Sequence, residues 1–425
     1  MQVASYQKVT TLLKPLIMLY VKARKRKGKE DVQRFNERLG VAAVPRPKGR
    51  LIWLHGASVG ETVSMLPLIA KIREEYPKVH ILVTSGTVTS AKIMAGRLPR
   101  GVIHQYVPID IKEYTDKFIS HWKPDLALWF ESDFWPNLIM SASAAGVPLI
   151  LVNGRISDRS FKKWQKAKSF MAELQGKFTL SLGQTEKDAR RLKKLGARNA
   201  LSVGNIKYAA ADLPYDAEKI ADLQKQIAKR ESFIAASTHD DEESRLADIF
   251  LSLKHKHPSL LLIIVPRHPK RGEEIAQTLA AKGLAVALRS KGEKITKGTD
   301  IYVADTIGET GIFYRLGDIV FVGGSLVPHG GQNFLEPARL KSAIIVGGFM
   351  HNFAEMTKNA VKAKAIIKVK DDKALAVSLE KLLKDKKTRQ KYIANGARFA
   401  LNEGAVLDRV FAQIVPYIDT VMAKK

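Results

Sequence analysis

The sequence contains no cysteine, which excludes disulfide bonds, thiolate nucleophiles and cysteine-ligated zinc. Acidic residues are also few, since 42 Asp and Glu stand against 70 Lys and Arg and give a net charge of +28 over 425 residues. The basic excess is spread along the chain and favours acidic partners: nucleic acid, anionic lipid surfaces or phosphorylated small molecules. Aromatic residues make up only 8%, and no aromatic-basic RNA-binding motif is present, which weakens the RNA interpretation.

The N-terminal apolar stretch is too short to cross a bilayer comfortably, because a spanning helix needs about 20 apolar residues. It runs from Val9 to Val21, is interrupted by Lys14 and Pro15, and is followed by a basic run from Lys22 to Lys27. This order of charge and apolar residues does not fit a secretory signal. Two interpretations remain for residues 1–45: a membrane-associating segment whose cations face anionic headgroups, or a basic helix that packs on its own domain.

Short apolar runs alternate with helical patterns along most of the chain, and a polar, irregular stretch from Asn205 to Asp216 divides them into two sets. The runs have the length and continuity of strands buried on both faces. They are Leu51–Leu54, Ile81–Val83, Leu126–Phe130, Leu149–Val152, Phe233–Ala236, Leu260–Val265, Ile301–Ala304, Ile319–Val322 and Ala343–Val346. We therefore expect an α/β protein with two doubly wound domains, whose ligands bind at the carboxyl ends of the strands.

The most informative segment lies between Asp318 and Gly348. A predicted strand ends in Gly323-Gly324-Ser325, and a glycine-rich loop then leads into a predicted helix from Phe334 to Lys341. Small residues at such a junction let the backbone approach a ligand, and the first N–H groups of the helix suit a phosphate. Glu336, in the first turn, is placed to accept hydrogen bonds from ribose hydroxyls. The segment predicts a site for a nucleotide or a sugar nucleotide.

The first predicted strand is followed by the sequence HGASVGE, which ends at Glu61. A carboxylate at this transition from loop to helix can act as a general base if partial burial raises its pKa toward neutral pH. It can equally serve only to complement the positive end of the helix. The residues alone leave both roles open for Glu61.

Other strand ends carry polar loops of the same kind. ESDFWPN begins at Glu131, and its Asp133 either contributes to a site or caps the next helix. NGRISDRS begins at Asn153, and its arginines either hold a phosphate or form a solvated turn. In the second half, anion binding and simple capping both account for the loops Ala236–His239, Pro266–Pro269 and Asp305–Gly311. The histidines of these loops lack metal-ligand spacing, so we infer no metal site.

Eight motifs together resemble, in this order and over nearly the whole chain, the 3-deoxy-D-manno-octulosonic acid (Kdo) transferases of lipopolysaccharide synthesis. They are HGASVGE, ESDFWPN, NGRISDRS, GNIKY, ASTHDDEE, PRHP, DTIGE and GGSLVPHGGQNFLEP. The resemblance implies a GT-B glycosyltransferase, with two Rossmann-like domains facing each other across a cleft and a C-terminal helix that crosses back to the first. The implied organisation is a membrane-associating segment at 1–45, an acceptor domain at 46–207, a linker at 208–232, a CMP-sugar domain at 233–390, and helices packing back on the N-terminal domain at 391–425.

By this resemblance, Kdo passes from CMP-Kdo to a hydroxyl of a phosphorylated lipid A precursor, lipid IVA, with inversion and release of CMP, and no cofactor takes part. The matching positions make Glu61 the general base and Glu131 and Lys207 stabilisers of the transition state. The implied donor-binding residues are Arg267, His268, Gly308, Glu309, Thr310, Gly324, Ser325, Asn333, Phe334, Leu335 and Glu336. The implied acceptor-binding residues are Ser58, Gly60, Asp133, Arg155 and Arg159.

Every partner implied in this way is anionic, which gives the basic composition a concrete cause. The expected location is the cytoplasmic face of the bacterial inner membrane, with the protein either peripheral or anchored through its N-terminal segment, and no nucleic acid is expected as a partner. One alternative is another GT-B enzyme, a UDP-sugar transferase or a sugar-nucleotide epimerase, which would share the second-half loops. The other is a basic nucleic-acid-binding protein, which leaves the strand-end motifs unexplained.

Overall fold

A computed structural model of the protein describes residues 2–208, 213–228 and 230–423. The chain forms two compact units: unit 1 comprises Met1–Ala210 and Glu403–Lys425, and unit 2 comprises Ala211–Asn402. The segment predicted as a linker, 208–232, contains a helix from Ala217 to Ile227, and its residues 209–212 and 229 lie outside the described part. Of the predicted C-terminal segment 391–425, only the part from Glu403 onward clusters with unit 1.

Unit 1 is built on a sheet of seven parallel strands in the order β3-β2-β1-β4-β5-β6-β7. The strands are β1 Leu51–His55, β2 His80–Ser85, β3 Ile103–Tyr106, β4 Leu126–Phe130, β5 Leu149–Gly154, β6 Phe178–Gly183 and β7 Ala200–Ser202. In the centre of the sheet, Trp53 on β1 lies opposite Leu82 on β2 and Ala127 on β4. The strand order reverses between β1 and β4, so their carboxyl ends border the crevice where open α/β sheets bind ligands.

Helices cover both faces of this sheet. They are α1 Val3–Leu12, α2 Lys14–Arg26, α3 Val59–Glu75, α4 Val88–Arg97, α5 Lys112–Trp122, α6 Pro136–Ala144, α7 Asp158–Lys166, α8 Lys168–Gln175, α9 Glu186–Lys194 and, after unit 2, α18 Val406–Ala423. Residues of β1 and β4 are buried on both sides, which explains why those strands read as continuous apolar runs. Helix α18 belongs to the core of one face, where Val410, Ile414 and Ile418 are buried.

The N-terminal helices pack on unit 1. In α1, the Tyr6 hydroxyl donates to Asp110 at 2.9 Å, and Thr10 Oγ1 accepts from the Asn137 side chain at 3.0 Å. Helix α2 buries Val21 in a small apolar cluster with Ile109 and its neighbours. The predicted packing on the protein's own domain is therefore present, although Val9 and Leu12 of α1 and Leu16, Leu19 and Tyr20 of α2 stay exposed. Within the described residues, no helix is both long enough and apolar enough to span a bilayer.

Unit 2 repeats the plan with another seven-stranded parallel sheet, in the order β10-β11-β9-β8-β12-β13-β14. The strands are β8 Ser232–Thr238, β9 Leu261–Pro266, β10 Val286–Leu288, β11 Ile301–Val303, β12 Ile319–Val322, β13 Ala343–Val346 and β14 Ile366–Lys368. The helices are α10 Ala217–Ile227, α11 Glu242–Lys254, α12 Gly272–Ala280, α13 Thr310–Phe313, α14 Leu335–Arg339, α15 Ala354–Lys362, α16 Asp372–Lys384 and α17 Lys386–Gly404. Here the strand order reverses between β8 and β12.

All nine predicted strands are confirmed: three have the predicted bounds, and the ends of the others shift by one or two residues. Strands β3, β6, β7, β10 and β14 were not predicted, because they are short or, like β3 with His104 and Gln105, carry polar residues. The predicted helix from Phe334 to Lys341 is only the five-residue α14. The predicted C-terminal segment 391–425 is helical as far as Ala423, in α17 and α18.

Candidate active site

The two loops that follow β1 and β4 carry the carboxylates predicted for catalysis. Glu61 lies in the first turn of α3, and Glu131 directly follows β4. Because these two strands are neighbours at the reversal of strand order, their carboxyl ends place both loops at the same crevice. Burial of Glu61 is nearly complete, with 8% of its surface exposed.

Glu61 closes a capping box at the start of α3. Ser58 is the N-cap residue, and its Oγ accepts from the Glu61 N–H at 3.3 Å. In return, the Glu61 carboxylate accepts from the Ser58 hydroxyl at 2.7 Å and from the Ala57 N–H at 2.6 Å. Ser-x-x-Glu is the spacing of a capping box, although the Glu61 carboxylate here bonds the Ser58 hydroxyl and the Ala57 N–H instead of the Ser58 N–H. These bonds fix the carboxylate in position and use two of its roughly four lone-pair sites, so it retains capacity to accept a proton.

The surroundings of Glu61 raise its pKa above the usual value for a glutamate. Burial is the main cause, because it penalises the charged form, and the nearby charges of Glu131 and Asp133 act in the same direction. The hydrogen bonds from Ser58 and Ala57 oppose the shift by stabilising the carboxylate. A raised pKa of this origin is what a general base near neutral pH requires.

Lys207 forms an ion pair with Glu131 next to the start of α3. A Cβ built at Gly60 would lie 3.8 Å from Lys207 Nζ, an ordinary contact distance, so the ammonium group lies next to the first turn of α3. Lys207 belongs to a 3-10 turn, Ile206–Tyr208, that follows β7. The structure therefore brings together Gly60, Glu61, Glu131 and Lys207, which come from three different loops.

Asn153 is a residue of this site that the sequence did not single out. It is fully buried, its side chain lies 3.5 Å from Glu131 Oε1, and its Oδ1 accepts from the Ile206 N–H at 3.0 Å. It therefore links the loop of Glu131 to the turn that carries Lys207. Both Asn153 and Glu131 have a left-handed φ of 60°, which is costly for residues other than glycine and is concentrated at functional sites. No sequence pattern marks this contact, since it depends on the pairing of β4 with β5.

The predicted acceptor-binding residues beyond this cluster are exposed. Arg155 and Arg159 stand on the surface at the start of α7, where Ser157 caps the helix. Asp133 does not cap α6: Trp135 is the N-cap residue, and it is the Asp110 carboxylate that accepts from the first N–H groups of the helix. The capping alternative for Asp133 is therefore wrong, and its charge instead acts on Glu61.

His55, which opens the HGASVGE motif, is a core residue. Its ring packs 4.3 Å from that of Trp129, its Nδ1 lies 2.9 Å from Thr84 Oγ1, and 1% of its surface is exposed. Burial lowers the pKa of His55 to about 3, so the ring is neutral. His55 is therefore a structural residue that packs in the core next to the HGASVGE loop.

In unit 2, the glycine loop after β12 is held by a buried carboxylate. Glu242, at the start of α11, accepts from the N–H groups of Gly324 at 2.7 Å and Ser325 at 3.0 Å, as well as from those of Leu326 and His239. The Ser325 hydroxyl is also bonded within the protein, to the Val322 carbonyl and the Gly347 N–H. Glu242 thus already occupies the N–H groups of Gly324 and Ser325, so any donor contact of these two predicted residues would involve other atoms.

The end of the same loop brings Asn333 next to Glu336. Asn333 Nδ2 donates to Glu336 Oε1 at 3.1 Å, and its Oδ1 accepts from the Leu335 N–H at 3.1 Å. Phe334 and Leu335 are buried, so their side chains belong to the core. Burial raises the pKa of Glu336, whereas Asn333 and the nearby charges of Arg339 and Arg267 lower it. A phosphate site at the N-terminus of α14 is not supported, because the helix has only five residues and Asn333 occupies its Leu335 donor.

Arg267 and His268 follow β9 and are exposed at this edge of the sheet, with the Arg267 N–H donating to the Thr238 carbonyl at 2.9 Å. The loop after β11 lies farther along the edge. There, Glu309 is paired with Arg289 and Lys219, and these cations hold the pKa of Glu309 at about 2. Its carboxylate is therefore engaged within the protein. A ligand bound at Gly308, Glu309 and Thr310 would contact their backbone atoms.

Two parallel α/β units, each with polar loops at the reversal of its strand order, place the protein in the GT-B fold class. A putative UDP-N-acetylglucosamine 2-epimerase from Listeria monocytogenes superposes with a TM-score of 0.57 at 12% identity, covering 88% of this chain and 98% of that one, which is a likeness of fold alone. Within this class, the family is established by sequence. The chain belongs to the 3-deoxy-D-manno-octulosonic acid transferase family, so it is a glycosyltransferase, as the eight motifs predict.

The matches that establish the family extend over most of the chain. The family model described as 3-deoxy-D-manno-octulosonic-acid transferase (kdotransferase) matches residues 33–210. A 3-deoxy-D-manno-octulosonic acid transferase of Rickettsia bellii is 35% identical over 412 residues, which cover 96% of this chain and 98% of that protein. Its counterpart in Haemophilus influenzae is 31% identical over 423 residues, which cover 97% and 98%. These relatives favour a transferase over the epimerase alternative.

Proposed function

We propose that the protein transfers Kdo from CMP-Kdo to a hydroxyl of a phosphorylated lipid A precursor, lipid IVA, and releases CMP. Membership of the family supports the transferred sugar and the biosynthetic context, lipopolysaccharide synthesis. The observation that carries the chemistry is the buried Glu61 carboxylate, fixed by Ser58 and Ala57 beside the Glu131–Lys207 ion pair.

In the proposed reaction, Glu61 accepts the proton of the acceptor hydroxyl. The acceptor oxygen forms a bond to the anomeric carbon of Kdo while the bond from that carbon to the phosphate oxygen breaks, so CMP leaves with the electron pair. Attack from the face opposite the leaving group inverts the configuration. Burial raises the pKa of Glu61 and so brings its basicity closer to that needed at neutral pH.

Lys207 is proposed to stabilise negative charge that grows on the departing phosphate. Its ammonium group is already fixed by Glu131, and Asn153 holds the turn from which it projects. Charges that need no reorganisation during the reaction favour the transition state over the ground state. Glu131 would then act by orienting Lys207 and by keeping the pKa of Glu61 raised.

The donor is proposed to lie along the carboxyl edge of the unit 2 sheet. Arg267, exposed beside β9, can form a bidentate bond with the phosphate, and His268 lies next to it. Glu336, positioned by Asn333, can accept from ribose hydroxyls. The backbone from Gly308 to Thr310 would contact the nucleobase of CMP.

The acceptor is proposed to bind unit 1, with its phosphates near the exposed Arg155 and Arg159. These arginines stand at the start of α7, whose outer surface also carries Lys162, Lys163 and Lys166. A basic surface next to the catalytic carboxylates suits a substrate that carries phosphate groups.

We also propose that the N-terminal helices dock the protein on the cytoplasmic face of the bacterial inner membrane. Large apolar side chains of α1 and α2 are exposed, as in Leu12 at 80%, Leu16 at 62% and Leu19 and Tyr20 at 64%. The basic run from Lys22 to Lys27 follows them, which matches the charge of anionic headgroups. We call the four apolar residues the N-terminal patch. Their contact with lipid would place the enzyme beside its acceptor.

The proposed function is tested by incubating the purified protein with CMP-Kdo and lipid IVA and analysing the products by mass spectrometry. The expected result is a lipid whose mass increases by one or more Kdo residues, together with an equivalent amount of CMP. Parallel reactions with a UDP-sugar or without lipid should give neither product. Release of CMP without a Kdo-containing lipid, or transfer from the UDP-sugar instead, would show that the proposed reaction is wrong.

A further inference from the structure

Three histidine rings meet at the carboxyl edge of the unit 2 sheet, and we call them the histidine cluster: His239, His268 and His329. His239 directly follows β8, His268 follows β9, and His329 lies in the glycine loop after β12. The three strands are adjacent in the sheet, and the pair β8 and β12 marks the reversal of strand order. The cluster is therefore at the position where a doubly wound sheet binds its ligand.

The rings have a defined geometry. His239 and His329 are stacked, with ring centroids 4.2 Å apart and planes inclined by 21°, and the His268 ring stands perpendicular to His239 at 6.0 Å. Gln332 Nε2 lies 3.2 Å from His239 Nε2, and a Cβ built at Gly324 would lie 3.1 Å from the same ring. The rings stack rather than converge, and among the described residues no group of three His, Asp or Glu could hold a metal ion.

A buried carboxylate holds the backbone segments that carry two of the histidines. Glu242 accepts from the His239 N–H at 3.0 Å and also from three successive N–H groups of the loop that leads to His329. One carboxylate thus holds the ends of β8 and β12 together. His239 remains half-buried and His329 is exposed, so the rings are accessible to a ligand.

Both the cationic and the acidic groups around the cluster can be identified. Arg267 and Arg271 face His239 from the segment after β9, and burial together with His329, His268 and these arginines lowers the pKa of His239. The nearby carboxylates are already engaged: Glu242 by backbone N–H groups, and Glu243 and Asp240 by Arg271. In the next loop, His351 lies beside Gly330. Such a concentration of imidazole and guanidinium groups favours an anionic ligand.

We propose that His239 and His329 bind the carboxylate of the donor sugar, next to a phosphate held by Arg267 and His268. This assignment rests on the proposed donor. Kdo is a 2-ulosonic acid, so its carboxyl group is attached to the anomeric carbon, which in CMP-Kdo also carries the phosphate oxygen. The two anionic groups are then only a few atoms apart and need neighbouring cations. A donor made from UDP and an aldose lacks that carboxylate, and the histidine pair would therefore select for an ulosonic acid.

Binding of the carboxylate would also stabilise the imidazolium form of His239, because an adjacent negative charge offsets the repulsion from the arginines. Proton uptake by His239 should accompany binding of CMP-Kdo and should be weaker for CMP. The affinity for CMP-Kdo is accordingly expected to fall as the pH rises and the His239 imidazole loses its charge.

The assignment is tested with the full-length variants His239→Asn, His329→Asn and the double variant. The KM for CMP-Kdo should rise about tenfold or more in the double variant, since a charge-assisted bond is lost. The dissociation constant for CMP, which lacks the carboxylate, should stay near that of the wild type. The KM of the wild type should increase with pH, and that of the double variant should depend on pH less strongly. His255→Asn, at an exposed histidine after α11, is the matched control.

Three outcomes would overturn the assignment: an unchanged KM, a flat pH profile in the wild type, or equal weakening of CMP and CMP-Kdo. The last would show that the pair contacts the nucleotide instead. Failure of the proposed donor itself is recognised separately, because the wild-type protein would then transfer no Kdo from CMP-Kdo before any histidine is changed.

Discussion

Glu61 combines a structural and a proposed chemical role in one side chain. Its carboxylate completes the capping box of α3 with Ser58, and the same bonds fix it beside Glu131. The two possibilities that the sequence left open are therefore compatible, because capping orients the group without using all of its acceptor sites. A capping role alone does not account for the neighbouring ion pair with Lys207.

Replacing Glu61 with Gln should reduce turnover by about 10²- to 10⁴-fold, the usual contribution of a general base. The fold should persist, because the amide oxygen can still accept a hydrogen bond from the loop and the variant no longer buries a charge. Turnover is measured as acceptor-dependent release of CMP, and stability as the melting temperature. Glu74→Gln, at an exposed position of the same helix, is the control. Near-wild-type turnover of the Glu61→Gln variant would remove Glu61 from the role of base.

The dependence of kcat/KM on pH in the wild type should reflect the protonation of Glu61. Because the pKa of Glu61 is raised, its carboxylate gains a proton as the pH falls through that raised value, and a protonated carboxyl group cannot act as the base. The value of kcat/KM should therefore decline on the acid side at a higher pH than an ordinary glutamate would give. Glu61→Gln should lose this acid limb from whatever activity remains.

At the scale of the elements, the sequence predicted the central strands of both sheets and the loops that follow them. β1, β4 and β12 are fully buried, so they carry continuous apolar runs that can be recognised without a structure. Edge strands such as β3 and β14 are only partly buried and have no comparable pattern. The loops themselves were predicted, but their internal bonding was not.

Two residues illustrate why part of the site could not be predicted. Asn153 connects Glu131 with the turn of Lys207, and Glu242 occupies the N–H groups of the glycine loop. Both contacts join segments that are far apart in the chain, and each depends on which strands are neighbours. Ser58 and Glu61, by contrast, are three residues apart and follow a spacing that predicts their contact.

The N-terminal helices allow a direct test of the proposed membrane contact. Replacing Leu16 and Leu19 with Glu should weaken binding to vesicles that contain anionic lipid by about tenfold or more, since two apolar side chains can no longer enter the interface. Binding is measured by co-sedimentation at fixed ionic strength. Leu401→Glu, at an exposed leucine of α17 outside the N-terminal patch, is the control. If the double variant sediments with vesicles as the wild type does, the N-terminal patch is not the contact surface.

At the scale of the whole molecule, unit 1 is assembled from two separate segments of the chain. Helix α18 contributes Val410, Ile414 and Ile418 to the core on one face of the first sheet, and Arg409 Nε donates to the Val203 carbonyl at 3.0 Å. The stability of unit 1 therefore depends on residues that follow all of unit 2 in the sequence.

The contribution of α18 can be measured through the tryptophans, because all five lie in unit 1: Trp53, Trp122, Trp129, Trp135 and Trp164. Ile414→Ala should lower the free energy of unfolding by about 2–5 kcal/mol, the cost of truncating a buried isoleucine. Denaturation followed by tryptophan fluorescence should show an earlier midpoint. Val377→Ala, at an exposed position of unit 2, should leave it unchanged. An unaltered midpoint for Ile414→Ala would mean that α18 does not stabilise this core.

The divided composition of unit 1 also has a consequence for the order of events during translation. The ribosome synthesises the strands of unit 1 and the loops of Glu61 and Glu131 before it begins unit 2, yet α18 emerges only after unit 2 has been made. Domains generally fold as units while the chain is being synthesised. Unit 1 therefore cannot complete its core until α18 has been synthesised, and the apolar surface that receives α18 stays uncovered until then. The sequence of unit 2 is complete before that point. The half of the enzyme that is made first is thus the half that can finish folding last.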